Sequence, residues 1–140
     1  MSDSALSCVL LADRHHGLTE GIRGLLETEF DAVVMVANEG SLLEAAERLR
    51  PEVVVVDLSL SRAGGIAWLA SLRKVTPESA LIVLSVHDEE GPARAATRAG
   101  ADAVVLKRAI ATDLLTTVER VRHRPPPGRP SPRHEKDGPE

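Results

Sequence analysis

Five short apolar runs, Cys8–Ala12, Val33–Val36, Val53–Val56, Leu81–Leu84 and Ala103–Leu106, constrain this chain more than any other feature. Each holds four or five residues rich in Val, Leu, Ile or Ala, with no polar residue interleaved. A strand with one wet face alternates apolar and polar residues, whereas an unbroken run suits a strand covered on both faces, as in a parallel sheet. The segments between the runs have helical spacing. Leu18, Ile22, Leu25 and Leu26 fall on one stripe, and Ser41-Leu42-Leu43-Glu44 has the form of a capping box opening a second helix with Leu42, Ala45, Ala46 and Leu49. Ile66, Leu69 and Leu72 mark a third helix. A fourth runs from about Pro92 to Ala99 with Gly100 as its C-terminal cap, and Leu114, Leu115, Val118 and Val121 mark a fifth. Five strands alternating with five helices predict an α/β fold with right-handed crossovers.

The 140 residues suit one domain with a real core. After Arg122 the composition changes: residues 123–140 hold six of the nine prolines and no Leu, Ile, Val or Phe. The expected organisation is therefore a domain over residues 1–122 and a disordered Pro/Arg-rich tail over 123–140. In that tail Arg124, Arg129, Arg133 and Lys136 alternate with prolines and meet acids, which reads as a spacer.

Several functions are excluded by composition. Phe30 and Trp68 are the only aromatic residues, so there is no platform for stacking single-stranded nucleic acid and nothing to sandwich a flavin ring. The net charge of −4 argues against direct nucleic-acid binding by this chain. Cys8 cannot form an intramolecular disulfide, and its apolar surroundings suggest a small buried hydrophobe. No run reaches the roughly 18 apolar residues of a membrane span, and Met1-Ser2-Asp3-Ser4 has no basic or apolar leader character, so the expectation is a cytoplasmic protein with no membrane partner.

In an open parallel sheet, ligands bind beyond the carboxyl ends of the strands. The first run ends in Asp13-Arg14, the third in Asp57, the fourth in Ser85 and the fifth in Lys107. Two carboxylates, a hydroxyl and an ammonium thus arrive at one edge. His15, His16 and His87 are read as lining the rim of that pocket, and Asp88-Glu89-Glu90 as the solvated start of the fourth helix.

These residues and their local strings resemble a response-regulator receiver domain over about residues 7–122. The strings are Val9-Leu10-Leu11-Ala12-Asp13-Arg14-His15-His16, Val56-Asp57-Leu58-Ser59-Leu60, Leu84-Ser85-Val86-His87-Asp88 and Leu106-Lys107. The likeness is nearest to receivers of the LuxR/NarL-type subfamily, here without the DNA-binding domain. It implies a flavodoxin-like (CheY-like) doubly wound five-stranded parallel sheet, strand order 2-1-3-4-5, with five helices. It further implies two-component phosphorelay signalling, without turnover catalysis, and a sensor histidine kinase or other signalling protein as partner. A weak homodimer through the first and fifth helices also follows from the resemblance. Asp57 then corresponds to the phosphoacceptor, Ser85 to the hydroxyl that binds the phosphoryl group, and Lys107 to its paired cation. Asp13, Asp57 and the backbone carbonyl of Ser59 correspond to the ligands of Mg²⁺.

Two positions depart from that pattern. Arg14 stands where the family has its second metal-binding acid, so Mg²⁺ binding and phosphorylation are expected to be weakened or absent. At about 4 Å and an effective dielectric near about 20, an arginine–aspartate pair attracts by about 4 kcal/mol before desolvation costs. The preferred expectation is that Arg14 reaches Asp57 and partly replaces the metal; the alternative turns Arg14 to solvent. Val104 stands where the family often has a Tyr or Phe that swings between two positions, and a valine is too short and stiff to do so. The same fold allows a phosphorylation-independent pseudo-receiver acting as a protein-interaction module. An aspartyl-phosphate hydrolase fits less well, because Ser59 occupies the place of its second aspartate.

Overall fold

The computed structural model describes residues 7–14, 16–61, 65–86 and 90–122, with the side chains of 16–18 left aside. The tail over 123–140, together with His15 and His87–Glu89, lies outside the described residues.

All five apolar runs are strands: β1 (Cys8–Ala12), β2 (Ala32–Val36), β3 (Val53–Asp57), β4 (Ala80–Ser85) and β5 (Ala103–Leu106). They form one parallel sheet in the order β2-β1-β3-β4-β5. Five helices alternate with them: α1 (His16–Leu26), α2 (Glu39–Leu49), α3 (Ala67–Val75), α4 (Glu90–Ala99) and α5 (Ile110–Arg122). This is the doubly wound, CheY-like architecture expected from the sequence.

The unbroken apolar runs are explained by two separate cores. Alternate residues of a strand point to opposite faces. Val9, Leu11, Val53, Val55, Ile82, Leu84, Ala103 and Val105 therefore face one way, packing with Ile22 and Leu26 of α1 and Ile110, Leu114, Val118 and Val121 of α5. Leu10, Ala12, Val54, Val56, Leu81 and Val83 face the other way, onto Leu42 and Ala46 of α2, Trp68, Leu69 and Leu72 of α3, and Ala96 of α4. Most of these side chains have no exposed surface. Full burial of one aliphatic side chain is worth about 1.5–3 kcal/mol, so the missing aromatics are replaced by many small contributions.

Helix ends show where local signals compete. Helix α2 does not open on the expected Ser41–Glu44 box but three residues earlier. Asn38, in extended conformation, is its N-cap and accepts from the Ser41 N–H at 2.8 Å. Asparagine caps as well as serine does, and the earlier cap adds part of a turn. Helix α4 begins at Glu90 and ends as expected at Gly100, which has φ +126°. The Ala101 N–H reaches back to the Ala96 carbonyl at 3.0 Å, a Schellman-type closure.

Gly100 is required twice over. Besides its positive φ, a Cβ at this position would meet Cβ and Cγ of Arg73 at 3.0 Å. Arg73 cannot easily retreat, since its guanidinium donates to the Ser79 carbonyl at 2.9 Å and meets Asp102 Oδ2 at 3.3 Å. Gly100→Ala is expected to destabilise the domain by about 1–3 kcal/mol. Urea denaturation would measure this as a lower midpoint at unchanged slope.

Candidate functional site

Strand order sets the site. β1 sends its chain to β2 on one side, and the later strands add on the other, so the crevice opens beyond the ends of β1 and β3. Ala12 is in register with Val56, which sets Asp13 level with Asp57 on the neighbouring strand. Ser85 is in register with Leu106, one step beyond the Asp57–Leu84 pair, so Lys107 enters from the outer strand. The parity of the strands matters as well. Asp13 continues the set Val9–Leu11, Asp57 the set Val53–Val55, and Lys107 the set Ala103–Val105, which all lie on the α1/α5 face.

The three side chains meet. Lys107 Nζ lies 3.2 Å from Asp57 Oδ2 and 3.5 Å from Asp13 Oδ2. Both carboxylates are buried, and the lysine side chain is only 11% exposed. A charge withdrawn from water is costly unless paired, so the ammonium offsets part of the cost of burying two aspartates side by side. Ser85, 1% exposed, closes the end of β4. It has the opposite parity, that of Leu81 and Val83.

Ser59 contributes more than its expected backbone carbonyl. Its N–H donates to Asp57 Oδ1 at 3.2 Å and its hydroxyl to Asp57 Oδ2 at 3.1 Å. Leu60 N–H donates to the Asp57 carbonyl at 3.0 Å. An aspartate followed two residues later by a backbone donor is an Asx-turn, and the string Asp57-Leu58-Ser59 carried that signal. The chain turns into α3 through Gly65, with φ +76°, whose carbonyl accepts from Trp68 Nε1 at 3.2 Å.

Arg14 does not reach Asp57. It is exposed, and the cation against Asp57 is Lys107. The two carboxylates hold the lysine inside, while the exposed arginine next to Asp13 keeps its guanidinium in water and meets no desolvation cost. Val104 is in register with Val83 and packs against the α3/α4 core. Cys8 is half-buried, and burial pushes its thiol up, as expected of an inert cysteine.

The donors suit Mg²⁺. A single cation, the lysine ammonium, touches an oxygen of both Asp13 and Asp57, so the two carboxylates converge on one point. Mg²⁺ asks for one or two carboxylates, with water and phosphate completing an octahedron. Among the described residues no group of three or more His, Cys, Asp or Glu side chains gathers as a metal site, so the two carboxylates are the relevant donors.

A doubly wound sheet carrying two carboxylates and a lysine at its switch point defines a receiver-type signalling domain. The chain belongs to the response regulator receiver domain family, which matches residues 9–119. It is 30% identical over 122 residues to the nitrate/nitrite response regulator protein NarL of Escherichia coli K12, covering 86% of this chain and 56% of that one. It is 28% identical over 116 residues to the transcriptional regulatory protein MctR of Rhizobium johnstonii, covering 81% and 54% respectively. The chain thus spans about half the length of these curated relatives. Among solved structures, a LuxR-family two-component response regulator from Aurantimonas sp. SI85-9A1 matches with a TM-score of 0.75 and 26% identity, over 84% of this chain and 86% of that one. The domain is therefore a receiver of the two-component response-regulator kind. Among the described residues, no helix is long and apolar enough to cross a membrane.

The bridging role of Lys107 has a stability consequence. Lys107→Met leaves Asp13 and Asp57 buried without the ammonium, and breaking a buried pair in this way costs about 3–5 kcal/mol. A loss within the about 0–1 kcal/mol of a surface ion pair would show that solvent already screens the cluster. Chemical denaturation at neutral pH distinguishes the two.

Proposed function

We propose that this domain receives a phosphoryl group on Asp57 and passes the signal on as a change of surface, with weakened dependence on Mg²⁺. The supporting observation is the contact of Lys107 Nζ with both buried carboxylates, at 3.2 and 3.5 Å. An aspartate attacking a phosphorylated donor brings one anion to another, so positive charge must be in place beforehand. Lys107 supplies it on a flexible stem that can follow the transferred group. Asp57 Oδ2 is the attacking oxygen in this reading, and the Ser59 hydroxyl must release it first. The bond formed is Oδ2–P; the bond broken joins phosphorus to the nitrogen of a phosphohistidine in a sensor kinase, whose imidazole leaves. Ser85, at the end of β4, donates to the phosphoryl oxygens and draws the β4–α4 connection toward them.

Asp13, Asp57 and the Ser59 carbonyl would hold Mg²⁺, which when bound neutralises phosphoryl charge. Arg14 puts a cation where another carboxylate would strengthen that site. The exposed position of Arg14 supports a weakened metal rather than a substituted one. Val104, packed as core, supports a relay to α4 without a swinging ring. Helices α1 and α5 pack together on one face, which supports the reading that two copies pair there weakly. The tail over 123–140 serves in this reading as the connection out of a domain that ends at Arg122.

Titration with Mg²⁺ and beryllofluoride, followed by amide shifts around Asp57, tests the proposal. The expected outcome is beryllofluoride uptake only at high Mg²⁺, abolished in Asp57→Asn. Arg14→Asp is expected to tighten Mg²⁺ at least about fivefold, since a unit charge at 4 Å is worth about 1 kcal/mol even in bulk water. No uptake at any Mg²⁺ concentration by either the unaltered chain or Arg14→Asp would instead establish a phosphorylation-independent interaction module.

A further inference from the structure

We infer that the proline- and arginine-rich segment 123–133 of this chain docks in a groove at the edge of the sheet opposite the phosphorylation site. The groove, about 320 Å³, lies between the loop leading into β3 and the loop leading into β4, and its lining includes Pro51, Glu52, Val75, Thr76, Pro77 and Glu78. It is a built feature. The Ser79 hydroxyl donates to the Pro51 carbonyl and shares a short hydrogen bond with the Thr76 hydroxyl, and both side chains are buried. The two loops are thereby tied together, and Arg73 holds the Ser79 carbonyl from behind at 2.9 and 3.1 Å.

The occupant is argued from where the described chain ends. Arg122, the last residue of α5, is fastened to the groove itself: its guanidinium donates to both oxygens of Glu52 at 3.1 Å. The same guanidinium sits 4.6 Å from the centroid of the Phe30 ring, and 3.9 Å from Glu29. The described chain therefore ends with the Arg122 side chain on the rim. The eleven residues that follow, His123-Arg124-Pro125-Pro126-Pro127-Gly128-Arg129-Pro130-Ser131-Pro132-Arg133, have the composition of a polyproline II segment. At about 3.1 Å per residue such a segment reaches across the whole edge of a small domain. It has little conformational entropy to lose on docking, which is why proline-rich segments make economical ligands.

Chemistry matches along the way. Pro51, Val75 and Pro77 offer apolar contact to proline rings, and Glu78 offers a carboxylate to the arginines of the segment, the Glu52 carboxylate being bonded to Arg122. Arg50, held in a left-handed conformation (φ 47°) at the end of α2, is a second cation at the groove besides Arg122. The acids Glu135 and Asp137 come only after the arginines, outside the segment proposed to dock. A segment with no apolar side chains of its own beyond proline gains order in this way without a core.

The test uses the full chain, with Cys8→Ala and Ser131→Cys carrying a nitroxide label. The expected result is selective loss of amide intensity at Glu52, Thr76, Glu78 and Ser79, reversed by high salt and by Glu78→Lys. Uniform or absent broadening overturns the inference. So does broadening that persists when labelled chains are mixed with isotopically enriched unlabelled ones, which would make the occupant a second copy. Should the labelled variant fail to fold, relaxation of the unaltered chain decides instead. Higher heteronuclear enhancement over Arg124–Arg133 than over His134–Glu140 is expected, and equally low values throughout 123–140 overturn it.

Discussion

A parallel sheet buried on both faces can bring polar groups together only where its strands end, and in this domain that edge is held by one ammonium. Lys107 reaches from the outer strand across β4 to two carboxylates on β3 and β1. Every other element serves that meeting. The register of β1 on β3 sets the aspartates level. α1 and α5 close the face into which all three side chains point, and the Asx-turn at Ser59 fixes the rotation of the Asp57 carboxylate.

The two ends of the sheet are built differently. At the carboxyl end, charge is concentrated in the cluster of Asp13, Asp57 and Lys107. At the amino end, Arg73, Thr76, Ser79 and Asp102 make a network of side chain to backbone bonds that fixes loops in place. Arg122 joins that end through Glu52 and Phe30. Helix α5 thus ends at the amino edge of the sheet, away from the carboxylate cluster.

Much of this was legible from residue pattern alone. The apolar runs gave the strands to within a residue, because an unbroken run has only one economical use in a short α/β chain. Asp13, Asp57, Ser85 and Lys107 were found because each immediately follows or closes such a run. The start of α2 was misread, since Asn38 and Ser41 are both good caps and only the φ/ψ values of the folded chain choose between them. Coulomb attraction alone draws Arg14 inward, yet Arg14 takes the solvent-facing alternative. Two cations compete for the same carboxylates, and the one on the buried strand end wins. The Ser59 hydroxyl was passed over although the Asp57-Leu58-Ser59 spacing announced it.

By itself the sequence determined that the sheet is parallel and covered on both faces, and which residues arrive at its carboxyl edge. Both follow from the order of residues along one strand, where neighbours set the pattern. The pairing of Lys107 with both Asp57 and Asp13, the outward turn of Arg14 and the fastening of Arg122 to Glu52 and Phe30 were decided by the folded molecule. These contacts join residues far apart in the chain. They depend on register and on competition among charges for the same buried oxygens, and neither is written in any single segment.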